Sequence, residues 1–383
     1  MVIGAGIVGC AAAAIMADRG ASVIVVEGSA VAAGASGRNM GAIQHPFDPV
    51  LVPLYHESLT RYWALAETTA TDFRIARTPA GLLLLSADAD AAATTGARLR
   101  QEAPELAPEV LTPDQLTQLE PTLAPGPAAV RLATGFPVPP AAATQAWAEL
   151  AEERGARILV GRGGRPTVAG GHAIGVTLDD GETIPAGAVL VAAGPWTPSL
   201  VDPGGGWRPI RPTYGVTLQL RLGENAPRHV VEEDEVGLIN RVEAAAARAE
   251  AADTDAIDPP SLFSMASAGG VTTLGSTFLP AEPDPERIEP LLLRRAAAFL
   301  PSVAEAEVIG RRMCARPQSI DGRPFIGAVD GTDGVFVCAG HGPWGISTGP
   351  AAATLLVELL DGRLAAPPAA LAPGRFGPIP PMG

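Results

Sequence analysis

The sequence predicts an α/β fold in which a doubly wound sheet domain is combined with a second, mixed α+β domain. The first observation is an N-terminal succession of a buried strand at residues 1–4, an Ala-rich helix at 10–19 and a second buried strand at 21–27. A strand, a helix and a strand in this order form the unit from which parallel sheets are built. The second observation is a pair of alternating segments at 214–222 and 271–278, which predict strands of another sheet.

Length and composition favour a globular protein of about two domains, since the chain has 383 residues, of which 47% are hydrophobic and 18% charged. No apolar run approaches the ~20 residues that a bilayer span needs, so we expect no membrane span. The formal net charge of -14 opposes binding to nucleic acid. All 27 basic residues are arginines, which excludes chemistry that depends on a lysine, such as Schiff-base formation.

The cysteines and histidines exclude two further kinds of site. The three cysteines are odd in number and lie far apart, so we expect no disulfide framework and a reducing, cytoplasmic location. The five histidines show no metal-binding spacing, either with each other or with cysteine, and we therefore assign no metal.

The remaining elements divide the chain into segments. We predict that 1–85, 135–210 and 301–383 form one discontinuous domain, that 86–134 is a helical and loop segment, and that 211–300 forms the second domain. An Ala-rich insertion at 243–253 interrupts the second domain and fits a lid, a partner surface or a mobile loop equally well. The other predicted helices are 55–65, 91–106, 141–155, 287–299 and 351–360, and the other predicted strands are 156–160, 173–178, 188–192 and 335–339.

A glycine turn joins the first strand to the first helix. Its sequence is Gly4-Ala5-Gly6-Ile7-Val8-Gly9, and Glu27 ends the next strand 18 residues after Gly9. The glycines permit a tight turn, close approach to a pyrophosphate and close packing of helix on strand, while Glu27 suits a ribose hydroxyl. The motif in this context predicts a dinucleotide site, for either FAD or NAD.

Four further segments distinguish FAD from NAD. They are the small-residue run Gly34 to Gly41, the strand and turn from Val189 to Trp196, and two C-terminal stretches, 316–327 and 339–346. With the glycine turn, and in this order, they resemble the D-amino acid oxidase (DAO) family of FAD-dependent oxidoreductases, which includes glycine oxidase and sarcosine oxidase. The resemblance implies a Rossmann-like FAD-binding domain of the GR2 type and a substrate-binding domain at 211–300.

The resemblance also implies which residues hold FAD. In this interpretation, backbone N–H groups after Gly342 lie against the flavin, at the start of a helix capped by Thr348. The implied FAD contacts are Gly4, Gly6, Ile7, Val8, Gly9, Glu27, Gly34, Ala35, Ser36, Arg38, Asn39, Met40, Gly41, Ala193, Gly194, Trp196, Arg316, Gly342, Gly345, Ile346 and Ser347.

Three side chains are candidates for catalysis or substrate binding. Arg316 matches the position at which glycine oxidase and its relatives hold the substrate carboxylate, a role that suits the planar guanidinium. A structural salt bridge is the alternative for Arg316. Tyr214 would donate a hydrogen bond to substrate or simply pack in its strand, and His45 would accept a proton from the substrate ammonium or serve as a capping or surface residue.

Attachment of FAD is expected to be non-covalent. Cys314 stands at the spacing from Asp321 at which sarcosine oxidase carries its flavin-bonded cysteine, so covalent attachment at Cys314 is the alternative. Buried cysteines are also common core residues.

The resemblance implies oxidation of the C–N bond of a small amine or amino acid, such as glycine or a D-amino, N-methyl or imino acid. Hydride transfer to flavin N5 would give an imine, and O2 or another acceptor would reoxidise the flavin. Three alternatives stay open: a dehydrogenase that uses a non-oxygen acceptor, a tRNA-modifying flavoprotein and a non-catalytic flavoprotein. The absence of lysine weighs against the oxidase, because sarcosine oxidase activates oxygen with one.

Overall fold

The computed structural model describes residues 1–234 and 261–382. The insertion predicted at 243–253 therefore lies outside the described residues. In chain order the helices are α1 (Ile7–Asp18), α2 (Ala35–Arg38), α3 (Val52–Glu67), α4 (Ala89–Glu102), α5 (Pro113–Leu119), α6 (Ala142–Glu153), α7 (Thr197–Val201), α8 (Pro285–Ala297) and α9 (Gly345–Leu360).

The strands follow the same chain order. They are β1 (Val2–Ile3), β2 (Ile24–Glu27), β3 (Ala42–Ile43), β4 (Leu82–Ser86), β5 (Glu109–Leu111), β6 (Ala128–Leu132), β7 (Phe136–Pro137), β8 (Arg157–Val160), β9 (Gly164–Ala169), β10 (His172–Leu178), β11 (Thr183–Pro185), β12 (Val189–Val191), β13 (Ile210–Arg221), β14 (Val230–Glu233), β15 (Ser261–Ala268), β16 (Val271–Thr277), β17 (Glu307–Ser319), β18 (Phe325–Ala328) and β19 (Val335–Ala339).

The first sheet has six strands in the order β18-β19-β12-β1-β2-β8, and all neighbours are parallel except β18 and β19. Its central strands are short and apolar, as expected for strands covered on both faces. One face packs against α1, which in turn contacts α6 and α9, and the other carries the small antiparallel sheet β9–β11. The carboxyl ends of β1, β2, β12 and β19 therefore meet at one edge.

The second sheet has eight strands in the order β17-β13-β16-β15-β14-β4-β6-β5, and only the pair β14–β4 is parallel among the described strands. Successive side chains along each strand point to opposite sides of this sheet, so its two faces differ. One face is apolar: Val216, Val231, Phe263 and Leu274 pack there against Leu292 of α8. The opposite face carries polar side chains such as Thr217 around β13 and β16, whereas around β4 and β6 its Leu84 and Val130 pack against Leu99 of α4.

The combination of a mostly parallel sheet with a second mixed sheet is confirmed. Two segments differ from the predicted division. Strand β17 lies within 301–383, which was predicted to belong to the first domain. It nevertheless pairs with β13 of the second sheet along its whole length. The segment 86–134 contributes β5 and β6 to the same sheet, besides its helices. No helix in the described part of the chain is long and apolar enough to cross a membrane.

Candidate functional site

A cavity of about 640 Å³ lies between the carboxyl edge of the first sheet and strand β17 of the second. The edge contributes the glycine turn after β1, Glu27 at the end of β2 and the turn after β12. Strand β17 contributes its residues Cys314 to Pro317. The residues predicted to contact the cofactor that line this cavity are Gly4, Gly6, Ile7, Val8, Glu27, Gly34, Ala35, Ser36, Arg38, Asn39, Ala193, Gly194, Trp196, Arg316, Gly342, Gly345 and Ile346.

The glycine turn is shaped by two close approaches of the backbone. Gly4 has φ of +105°, a conformation that favours glycine, and a Cβ there would meet the carbonyl oxygen of Ala192. Gly9 lies behind the cavity wall, where a Cβ would collide with the carbonyl oxygen of Gly4. The glycines therefore let α1 lie directly on β1 and direct its N-terminus towards the cavity.

Two side chains complete this end of the cavity. The Glu27 carboxylate accepts hydrogen bonds from the backbone N–H groups of Ala5 and Ser29, each at 2.9 Å. The Ser36 hydroxyl accepts one from the N–H of Ile7, at 3.0 Å, in the first turn of α1. An acceptor oxygen thus already lies at the helix N-terminus, where a phosphate oxygen would also be favoured.

The segment from Gly34 to Gly41 contains the short helix α2 and links the two sheets. Arg38 donates to the carbonyl oxygen of Met313 in β17 at 2.9 Å, and the Asn39 side chain accepts from the N–H of Gly41 at 2.7 Å. Met40 and Gly41 lie outside the cavity lining. Met40 instead packs over Gly275 of the second sheet.

Helix α9 begins at the cavity, but not where the sequence suggested. The predicted cap at Thr348 is wrong: the helix starts at Gly345, and Thr348 lies inside it, donating its hydroxyl to the carbonyl oxygen of Trp344 at 2.8 Å. The N–H groups of Gly345, Ile346 and Ser347 therefore form its first turn. Gly345 and Ile346 line the cavity, whereas the Ser347 hydroxyl accepts from the N–H of Gln44 at 3.0 Å.

His341 precedes this turn and is buried at the cavity wall. Burial lowers its pKa to about 4, since the cationic imidazolium is poorly solvated there. Its Nε2 has no hydrogen-bond partner among the described residues. The ring is therefore neutral, and one buried polar atom is left free at the wall.

Arg316 crosses from β17 towards β16. Its guanidinium donates to the carbonyl oxygen of Thr277 at 2.9 Å and to the hydroxyl of Ser276 at 2.7 Å, and it lies 4.7 Å from the ring centre of Phe278. Gly215 of β13 leaves the space that the guanidinium occupies. Within residues 1–234 and 261–382 no carboxylate forms an ion pair with it. Burial lowers its pKa, so an anion at this wall would stabilise the charge.

Cys314 lines the same wall two residues before Arg316. Burial raises the pKa of its thiol, although the nearby Arg316, Arg312 and Arg38 oppose that effect. None of the three cysteines forms a disulfide. The structure thus places a thiol, not a thiolate, beside the cavity at neutral pH.

Two predicted side chains do not reach the cavity. His45 is buried among Phe47, Tyr55 and His56, with Nε2 3.3 Å from Glu105, and it does not line the cavity. Tyr214 is partly buried, pairs through its backbone with Leu279 and does not line the cavity either. Their roles in proton transfer and substrate binding stay predictions.

Sequence reasoning missed a polar group on the face of the second sheet that also carries Arg316. The Glu232 carboxylate accepts hydrogen bonds from the Gln44 side chain at 3.0 Å and from the Ser264 hydroxyl at 2.9 Å. Burial raises its pKa. The two glutamates that follow two valines in the strand 230–233 are a signal that could have identified it. Within the described ranges, no group of three or more His, Cys, Asp or Glu side chains is placed to hold a metal.

Comparison with known proteins identifies the family. The model of the DAO family, FAD-dependent oxidoreductases, matches residues 1–359. The chain belongs to this family. The resemblance seen in the four sequence motifs is thus confirmed, and with it FAD as the cofactor that the family implies.

The DAO relatives include enzymes of different names. The chain is 27% identical over 198 residues to a glycine oxidase of Pseudomonas aeruginosa, covering 51% of this chain and 47% of that protein. It is 30% identical over 225 residues to a D-amino acid dehydrogenase of Cereibacter sphaeroides, covering 57% of this chain and 46% of that protein. The matched region spans about half the length of these curated relatives.

Solved structures share the whole DAO-type fold. An iminodiacetate oxidase from Chelativorans sp. superimposes with a TM-score of 0.80 at 23% identity, covering 100% of this chain and 99% of that one. A glycine oxidase from Bacillus cereus gives a TM-score of 0.79 at 23% identity, with 95% and 94% covered. At this identity the likeness establishes the fold alone, and it confirms the predicted two-part architecture.

The residues of the cavity fit FAD. The closely packed glycine turn leaves room at the N-terminus of α1, Glu27 offers carboxylate oxygens, and His341 Nε2 lacks a partner at the wall. The first turn of α9 adds backbone donors at the other end of the cavity. Each of these features suits one part of a dinucleotide: phosphate, ribose or a polar ring edge.

Proposed function

We propose that this protein oxidises the C–N bond of a small amino acid or related amine with the help of FAD. One observation carries the proposal: Arg316 presents a guanidinium at the wall of the cofactor cavity and has no carboxylate partner among the described residues. A buried guanidinium without a counter-ion binds a carboxylate strongly, through two parallel hydrogen bonds. A carboxylate-bearing substrate supplies that missing charge.

The names of the relatives support the same class. A glycine oxidase and a D-amino acid dehydrogenase are among the proteins similar to this chain, at 27% and 30% identity. Both names describe the oxidation of amino acids, and their substrates differ from each other. The identity of the amino acid in this protein is therefore a matter for experiment.

Each residue of the cavity has a proposed task. The glycine turn and Glu27 hold the ADP half of FAD, and the N–H groups of Gly345 and Ile346 hold the polar edge of the flavin ring. When bound, FAD would supply the hydride acceptor for oxidation of the substrate C–N bond to an imine, which water would hydrolyse. Arg316 holds the substrate carboxylate and so orients the reacting carbon towards the ring.

Two candidate reactions differ in the electron acceptor that reoxidises the flavin. The 383-residue sequence has no lysine that could activate oxygen in the manner of sarcosine oxidase. A dehydrogenase that passes electrons to a quinone or a protein is therefore the second candidate, beside an oxidase that forms hydrogen peroxide.

Anaerobic spectroscopy tests the proposal. The protein is loaded with FAD and mixed without oxygen with a panel of glycine, D- and L-amino acids, N-methyl amino acids and proline. Bleaching of the visible flavin band by panel members supports the proposed reaction, whereas a protein that cannot be loaded with FAD, or that no member bleaches, contradicts it. Admission of air then distinguishes the candidates: rapid return of colour with peroxide indicates an oxidase, and persistent bleaching indicates a dehydrogenase.

We further propose that FAD is bound without a covalent bond, since the Cys314 thiol is buried and has a raised pKa. Denaturation with acid should release all of the flavin into the supernatant. Flavin that stays with the precipitated wild-type protein, but not with Cys314→Ser, would show covalent attachment.

A further inference from the structure

The second sheet turns a row of polar side chains towards the cofactor domain. Paired residues run across the strands from Arg312 through Thr217, Gly275 and Ser264 to Glu232. Their neighbours in the strands, such as Val216, Leu274 and Val231, point to the apolar face against α8. The polar row lies on the side that also presents Arg316 to the cavity.

Glu232 is the acid of this row, and it lacks a charged partner. Both of its hydrogen bonds, from Gln44 and Ser264, reach the same oxygen, Oε1, and both donors are neutral. Oε2 has no partner among the described residues, and no arginine or histidine of those residues forms an ion pair with this carboxylate. Glu233, the next residue, faces the other side and is paired with Arg295. Glu232 is partly buried, and a partly buried acid without a cation is costly unless a ligand supplies one.

The position of Glu232 connects it to the site. Gln44 donates its side-chain N–H to Glu232 and its backbone N–H to Ser347, which adjoins the cavity-lining Ile346. At the usual spacing of strands, Glu232 lies about 10 Å from Gly275, two strands away. Ser276, the residue after Gly275, accepts a hydrogen bond from Arg316. The partly buried acid and a guanidinium without a carboxylate partner among the described residues thus stand at two ends of one polar surface.

We propose that Glu232, held by Gln44 and Ser264, is a specificity determinant that binds a second cationic group of the substrate. This inference rests on the proposed function, in which Arg316 binds the substrate carboxylate. The α-amine of an amino acid lies only about 2.5 Å from its carboxylate carbon, too near Arg316 to reach Glu232. A basic side chain spans the remaining distance, so the preferred substrates are amino acids with an amino or guanidino group on the side chain.

Substrate preference tests the inference with isosteric pairs. The FAD-loaded protein is assayed with both enantiomers of lysine and norleucine, and of ornithine and norvaline. A charged pair formed at a buried site gives a preference of about 30-fold or more in kcat/KM for the basic member. Glu232→Gln keeps the shape and should reduce that preference to a few-fold, mainly through KM. Glu307→Gln, an exposed glutamate on β17 of the same sheet, serves as the matched control.

Binding without turnover gives a second readout. Calorimetry compares hexanoate with 6-aminohexanoate, which has the same chain and a terminal ammonium but lacks an α-amine. The wild type should bind 6-aminohexanoate at least tenfold more tightly, and Glu232→Gln should bind both alike. A Glu232 that merely ties Gln44 to the sheet would lower thermal stability on substitution and leave both comparisons unchanged.

The two proposals fail in different ways. The inference about Glu232 is wrong, while the proposed function stands, if two results are found together. Neutral amino acids would bleach the flavin as efficiently as their basic counterparts, and hexanoate and 6-aminohexanoate would bind the wild type with equal affinity. If no member of the panel bleaches the flavin and neither carboxylate binds, the proposed function itself is wrong, and the inference falls with it.

Discussion

The two ends of the cavity are built in different ways. At the end beside β1, backbone groups and short-range contacts form the wall: the turn from Gly4 to Gly9 lies in one run of sequence, and Glu27 follows shortly. At the end beside β17, side chains from different parts of the chain meet: Arg316 of the wall contacts Ser276, and on the same face of the second sheet Gln44 contacts Glu232. The first end suits a cofactor common to a family, and the second suits recognition of a particular substrate.

Removing Arg316 should produce the largest effect and should act at the substrate end. Arg316→Met deletes the charge that we propose binds the substrate carboxylate, so kcat/KM for amino acids should fall about a thousandfold. Steady-state kinetics of the FAD-loaded variant measure this loss. Arg221→Met, an exposed arginine on β13, is the control and should keep its activity. A change of less than threefold in Arg316→Met would remove Arg316 from the substrate site.

A substitution at the cofactor end should weaken FAD binding instead. In Gly9→Ala the added Cβ meets the carbonyl oxygen of Gly4, which is backbone and cannot move aside. Overpacking of this kind costs about 1–3 kcal/mol, up to about a hundredfold in the Kd of FAD. Titration of the flavin-free protein with FAD gives that constant. Gly187→Ala, where a Cβ meets no atom within 4 Å, should bind FAD as the wild type does, and equal affinities in both variants would contradict the prediction.

His341 lies between the two ends and should make stability depend on pH. Its pKa is about 4 in the folded protein and near the ordinary 6.5 when unfolded, so the unfolded chain binds the additional proton below about pH 6.5. Its contribution to the free energy of unfolding is therefore present at pH 7.5 and declines on acidification, by about 2 kcal/mol at pH 5.

Urea unfolding of the flavin-free protein at these two pH values measures that decline. The His341→Gln variant should lose about 2 kcal/mol less than the wild type on acidification, since it lacks the titrating group. The exposed His172 provides the control, because His172→Gln should follow the wild type. Parallel losses in wild type and His341→Gln would disprove the buried, neutral imidazole.

Gly215→Ala should cause the smallest effect of the four, again at the substrate end. The added Cβ meets the guanidinium of Arg316, the far end of a flexible side chain that can shift. We expect KM for the amino acid to rise about tenfold, equal to about 1.4 kcal/mol, with little change in kcat. Steady-state kinetics beside Gly187→Ala check this, and an unchanged KM would indicate that the position of Arg316 is unimportant.

The sequence was informative where structure is local. The strand, glycine turn and helix at the N-terminus depend on residues a few positions apart, and the structure has them where they were predicted. Residues 301–383 were predicted as part of the first domain, and the pairing of β17 with β13 was not predicted because the two strands lie almost a hundred residues apart in the chain. Thr348 resembled a cap because it precedes Pro350, yet α9 begins at Gly345 and Pro350 lies inside the helix.

The substrate end could not be derived from local pattern. His45 lies close in sequence to the cofactor segment, but the chain turns after β3 and buries its ring among aromatic side chains. Gln44, its neighbour, instead faces Glu232, 188 residues further along the chain. Which of two adjacent side chains faces a site depends on the path of the backbone, and tertiary contacts decide that path.

The central claim is that Arg316 holds the carboxylate of an amino acid for oxidation by the bound flavin. Anaerobic stopped-flow absorbance tests it most directly, by comparing the best amino acid of the panel with the amine that lacks its carboxylate. We predict that the amino acid bleaches the flavin at least a hundredfold faster at equal concentration, and that this advantage disappears in Arg316→Met. An amine that reduces the wild-type flavin as fast as its amino acid would contradict the claim.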